Sequence, residues 1–168
     1  MMSIADINAL PPAAFVARFG FLFEHSPWVV EAAAEKRPFA DFAAMESVLM
    51  ASLRETGAEA VLAVLRAHPE LGSQALLEKT LTASSTAEQN FAGLDRLSPQ
   101  EVETFAAHNT AYKARFGFPF IVCVRMTSKG GIIDAMQQRL SQSPQQEIAT
   151  ACAEVAKIVH LRLKDICV

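Results

Sequence analysis

Apolar residues along this chain recur mostly at the three- and four-residue steps of an α-helix, and proline, glycine and capping residues punctuate the periodic runs. Pro11-Pro12 opens a run to about Phe23 in which Phe15, Phe19 and Leu22 share one face, and proline suits a first helical turn. Trp28 to Lys36 predicts a second helix, ended by Arg37-Pro38. Asp41 caps a third, with Phe42, Met45, Leu49 and Leu53 at helical spacing and Gly57 at its end. A fourth, Ala58 to Arg66, carries Val61, Leu62 and Leu65. Ser98-Pro99-Gln100-Glu101 is a capping box with proline at the first helical position, starting a helix that runs to Phe116 before Gly117 stops it. Ser143-Pro144-Gln145-Gln146 repeats that chemistry for a last helix from about Pro144 to Lys164.

One run departs from the helical period. Phe118-Pro119-Phe120-Ile121-Val122-Cys123-Val124-Arg125 is β-branched and strand-like, but no second such run exists to pair with it. Flanked by Gly117 and Gly130-Gly131, it predicts a buried extended connector whose backbone groups are free to bind a ligand. No repeat or linker divides the rest, so the expected fold is all-α: a single-domain helical bundle of about seven to nine helices without significant sheet, over residues 1–168.

Composition narrows the partners. The 168 residues suffice to bury roughly 70% of the unfolded surface, and 51% are hydrophobic with a formal charge of −3. Nothing in that balance attracts nucleic acid, so a small molecule or a protein is the expected partner. Cys123, Cys152 and Cys167 are an odd number without a C-x-x-C pair, which argues against a disulfide framework or structural zinc and for a reducing compartment. Residues Met1 to Leu10 lack the pattern of a secretion signal, no stretch of about 18 apolar residues occurs, and the last residues do not match a peroxisomal address. The cytoplasm is expected, away from membranes.

Three residues carry candidate chemistry. His68 is followed by Pro69, whose ring disfavours helical geometry in the preceding residue, so the imidazole should sit at a helix end. The stretch Ser84-Ser85-Thr86-Ala87-Glu88 then opens another helix with Glu88 in its first turn, where amides and the helix dipole favour anions. Together they suggest an acid/base pair. Each also has a plainer reading: a histidine is favoured at any helix carboxyl end, and Ser85-x-x-Glu88 fits a capping box. The apolar stripe Ile148, Cys152, Val155, Val159 leads next to Arg162, which therefore faces inward and needs a carboxylate, carbonyl groups or an anionic ligand. On pattern alone an internal ion pair, with Glu88 as one candidate partner, comes before a ligand, and snorkelling to the surface is the third option. The four histidines form no i, i+4 pair and no phosphate-cradling glycine loop occurs, so neither metal nor nucleotide is expected. Tyr112-Lys113-Ala114-Arg115 reads as the solvated end of a helix.

With those residues in place, the chain resembles the OHCU decarboxylases, which act on 2-oxo-4-hydroxy-4-carboxy-5-ureidoimidazoline in urate breakdown. The resemblance lies in Phe15 to Trp28, His68-Pro69-Glu70-Leu71-Gly72, Ser85-x-x-Glu88-Gln89, Leu94-Asp95, Asn109-x-x-Tyr112-x-x-Arg115-Phe116-Gly117-Phe118-Pro119-Phe120 and Glu154-Val155-x-Lys157-Ile158-x-x-x-Arg162-Leu163. It implies an all-helical, cofactor-free, homodimeric enzyme that releases CO2 and forms (S)-allantoin. His68 would be the proton donor, assisted by Glu88, whose carboxylate would favour the imidazolium form. Pro69, Ser85, Thr86, Ala87, Gln89, the run Ile121, Val122, Cys123, Val124, Arg125, and Arg162 would contact the substrate. A hydrolase of a related ureido compound and a helical interaction module without catalysis are the alternatives. The first would need an activated water, for which no second carboxylate stands beside Glu88 in the sequence; the second leaves the inward arginine and the His-Pro corner unexplained.

Overall fold

The computed structural model describes residues 1–167. Among the described residues the backbone forms ten α-helices, three 3₁₀ turns and no strand, in line with the expected all-α class. Eight helices have seven or more residues; the other two, Ile4–Ala9 and Gln74–Leu77, are too short for their periodicity to stand out. The chain divides into two compact units. One comprises residues 1–67 with the end of the chain from Val155, and the other His68–Glu154.

The first unit contains α1 (Ile4–Ala9), α2 (Pro12–Phe19), α3 (Pro27–Ala34), α4 (Phe42–Glu55), α5 (Ala58–Ala67) and the latter half of α10 (Pro144–Ile166). The helix expected to reach Phe23 ends at Phe19 and tightens into a 3₁₀ turn over Gly20–Leu22. Asp41 caps α4 as expected, accepting the Ala44 N–H at 2.7 Å. Helix α3 packs on α2 and α4, burying Phe15, Phe19, Met45, Leu49 and Leu53 completely. These are the apolar positions that the helical period singled out.

The second unit contains α6 (Gln74–Leu77), α7 (Ala83–Phe91), α8 (Pro99–Phe116), α9 (Lys129–Arg139) and the start of α10. Both predicted proline starts hold: the Ser98 and Ser143 hydroxyls accept the N–H of the residue three along, and Glu101 and Gln146 return the bond. Gly117 ends α8 at φ +77°, the left-handed cap glycine tolerates best. Residues 118–123 run on as the expected non-helical connector, into a 3₁₀ turn over Val124–Met126.

Three expectations need correction in this unit. Tyr112 does not belong to a solvated helix end: it is fully buried among Phe116, Phe118 and Phe120, and only Lys113, Ala114 and Arg115 face water. Gly130-Gly131 does not simply bound the connector, because both glycines lie in the first turn of α9, whose cap Ser128 accepts the Gly131 N–H at 3.1 Å. Finally, Ser85 does not cap the helix bearing Glu88. Thr82 is the cap, accepting the Ser85 N–H at 3.3 Å, so Ser85 is already the third helical residue and Glu88 stands in the second turn.

Candidate active site

The turn His68-Pro69-Glu70-Leu71-Gly72 begins directly after α5, at the first residue of the second unit. Pro69 removes one backbone donor and excludes helical continuation, so the turn's remaining polar groups must find partners elsewhere. They find them on side chains. Gly72 N–H donates to Gln89 Oε1 at 3.0 Å, Gln89 Nε2 reaches the Glu70 carbonyl at 3.5 Å, and Asn109 Nδ2 donates to the Leu71 carbonyl at 2.9 Å. Gly72 sits at φ +59°, and a Cβ there would lie 2.8 Å from Leu97 Cδ1. His68 itself is half-buried.

These bonds tie the histidine turn to α7, the helix carrying Ser85, Thr86, Ala87, Glu88 and Gln89. Ser85 and Gln89 are buried, four residues apart on one face; Glu88 is half-buried. The same helix packs against the Val124–Met126 turn at the end of the connector. The His68 turn, α7 and the connector are thereby linked within one unit.

The connector's backbone is less available than its sequence suggested. Cys123 N–H donates to the buried Glu154 carboxylate at 2.7 Å, the Cys123 carbonyl accepts from Met126 N–H, and the Ile121 carbonyl accepts from Arg139 Nη1 at 2.7 Å. Burial pushes the Cys123 thiol above its ordinary range; a bond from the Arg125 backbone opposes this, while the Glu154 and Glu88 carboxylates add to it. Glu88, Glu154 and Arg125 thus each lie near enough to the Cys123 thiol to act on its proton.

Arg139, Glu147 and Tyr112 form a buried network that sequence reading missed. The Arg139 Nε and Nη2 groups and the Tyr112 hydroxyl all donate to Glu147 Oε1, and the Arg139 guanidinium lies 4.3 Å from the centre of the Phe120 ring. Burial and the neighbouring carboxylate push the Tyr112 phenol far above its usual range. Arg139 therefore holds the connector from beneath by one carbonyl and one aromatic face. The available signal was an arginine and a glutamate eight residues apart around the Ser143 helix start; without α9 recognised, Arg139 had no face to be assigned to.

Arg162 faces inward as expected, 4% exposed. It belongs to the first unit, where Nη1 donates to the Phe21 and Leu22 carbonyls at 2.7 and 3.3 Å and Nη2 meets the buried Glu24 carboxylate at 3.5 Å. A groove of about 300 Å³ elsewhere in that unit, beside the His160–Glu46 pair, holds none of the expected site residues. Among the described residues no group of three His, Cys, Asp or Glu side chains is placed to hold a metal, and no helix is long and apolar enough to cross a membrane.

An all-helical chain that builds its polar centre from a His-Pro turn, a Thr-capped helix and a non-helical connector is the class that fold and site define. The family model described as OHCU decarboxylase matches residues 8–164. A 2-oxo-4-hydroxy-4-carboxy-5-ureidoimidazoline decarboxylase of Haloferax volcanii is 39% identical over 165 residues, covering 98% of this chain and 95% of that protein. The protein of the same name from Xenopus laevis is 36% identical over 165 residues, covering 98% and 94%. The crystal structure of (S)-allantoin synthase superposes with a TM-score of 0.77 at 26% identity; the alignment covers 98% of this chain and 54% of that one, so the chain spans about half its length. The chain belongs to the OHCU decarboxylase family.

Proposed function

We propose that this protein is a carboxy-lyase that takes 2-oxo-4-hydroxy-4-carboxy-5-ureidoimidazoline to (S)-allantoin and CO2. Breaking the bond to the carboxylate leaves an electron pair that delocalises into the adjacent C=N unit of the ring, and the resulting planar carbon then takes a proton. The ring is its own electron sink, so the protein's task is to orient the carboxylate, stabilise developing charge and deliver the proton to one face. His68 is the donor and Glu88 its carboxylate partner, with Pro69, Ser85, Thr86, Ala87 and Gln89 around the ligand. The observation that carries this reading is the pair of bonds by which Gln89 joins the His68 turn to α7, because they tie the turn that bears the donor to the helix that bears the carboxylate.

Backbone accounting sharpens the connector's part. Glu154 already takes the Cys123 N–H, and Met126 and Arg139 donate to the Cys123 and Ile121 carbonyls, so the amides offered to a ureido or ring carbonyl are those of Ile121, Val122 and Val124. Arg125 lies next in line. A substrate role for Arg162 rests on the resemblance, as does a homodimer; sedimentation tests the latter. A cytoplasmic setting rests on the sequence alone, on three widely spaced cysteines without a C-x-x-C pair. The test of the activity is direct: supply freshly generated ureidoimidazoline and follow CO2 release with the circular dichroism sign of the product. Accelerated release with a single (S) signal supports the reading; racemic product at the spontaneous rate refutes it.

A further inference from the structure

We propose that Asn109 is a positioning residue for this reaction, fixing the His68 turn in the geometry that proton delivery requires; the inference rests on the reading of His68 as donor. The imidazole's own backbone lies between the last residue of α5 and a proline, so no helical ladder holds it from the downstream side. What holds the turn is a set of side-chain bonds; outside the expected ligand-contacting residues, Lys113 makes an exposed ion pair with Glu70 at 3.3 Å, and Asn109 Nδ2 makes a buried bond to the Leu71 carbonyl at 2.9 Å. Asn109 is 4% exposed, and Phe105 and Tyr112, one helical turn to either side on α8, are fully buried. Its χ angles are therefore set by packing, and it transmits the position of α8 to the turn.

The Nδ2 end does this work, since Oδ1 is buried with no hydrogen-bond partner among the described residues. That asymmetry dictates the experiment. Asn109→Asp keeps the shape, but its carboxyl can donate to the Leu71 carbonyl only while protonated; burial raises its proton affinity, and rising pH removes the donor. Asn109→Ala removes the donor at every pH.

Steady-state turnover of fresh ureidoimidazoline is measured from pH 5 to 9 for wild type, N109A, N109D and, in parallel, His68→Asn, with far-ultraviolet circular dichroism recorded at each pH. N109A is expected to lower kcat about 10- to 100-fold with KM changed less than about threefold, the signature of a misplaced donor and not of lost substrate contact. N109D should lose kcat with rising pH beyond the loss the wild type shows, while its helical signal stays constant. If N109D superposes on the wild-type profile while H68N is inactive, Asn109 does not position the donor and the inference is wrong, whether or not N109A folds. If H68N keeps wild-type turnover, the underlying reading of His68 fails, and the inference falls with it.

Discussion

Gln89 holds Gly72: the glycine's backbone N–H donates to Gln89 Oε1 at 3.0 Å, and the glycine occupies the left-handed region at φ +59°. The turn carrying His68 therefore depends on a residue without a side chain. Gly72→Ala should destabilise the protein by about 1–3 kcal/mol, from left-handed strain and the approach of a Cβ to Leu97. Urea unfolding checks this; a change below about 0.5 kcal/mol would show that the turn tolerates a side chain.

Arg162 and Glu24 are both buried and paired, so each would be costly alone. Arg162→Met removes the buried bonds to the Phe21 and Leu22 carbonyls and to the Glu24 carboxylate and should cost about 3–5 kcal/mol. Restoring neutrality with Glu24→Gln in the same chain should recover part of that loss. If the single variant is as stable as wild type, the arginine is held for a ligand and not for the fold.

Tyr112 makes stability depend on alkaline pH. Its folded proton affinity is raised by burial and by Glu147, so the unfolded chain loses the phenolic proton first, near its ordinary value of about 10. The contribution is complete below that pH and declines as pH rises above it. The stability gap between wild type and Tyr112→Phe, from denaturant curves between pH 8 and 11, should be constant up to about pH 10 and narrow beyond. A gap independent of pH would mean that the phenol is not buried against the carboxylate.

The features legible in the sequence were those fixed by local chemistry. Ser98-Pro99-Gln100-Glu101, Gly117 and Ser143-Pro144 each specify a helix end within four residues, and all three hold. Ser85-x-x-Glu88 has the same pattern and failed, because a cap needs only a side-chain oxygen ahead of the first turn and Thr82 supplies it earlier. Thr82→Ala should accordingly cost about 1 kcal/mol by thermal or urea unfolding, and no loss would return the cap to Ser85. Arg139 was illegible for a different reason: the double glycine hid its helix, and its partners Ile121 and Phe120 lie on the connector, outside any helical period it shares. The inward face of Arg162 could be read from the period of its own helix, but not its partner Glu24, since periodicity says which way a residue points and not what it meets.

The central claim is that His68 delivers the proton that sets the product's hand. The measurement that tests it most directly is turnover of freshly generated ureidoimidazoline by His68→Asn beside wild type, reading CO2 release and product circular dichroism together. The account predicts a folded variant whose catalysed rate falls by about 10²–10⁴-fold, leaving spontaneous, racemic product. Wild-type CO2 release giving only (S)-allantoin from that variant would contradict it.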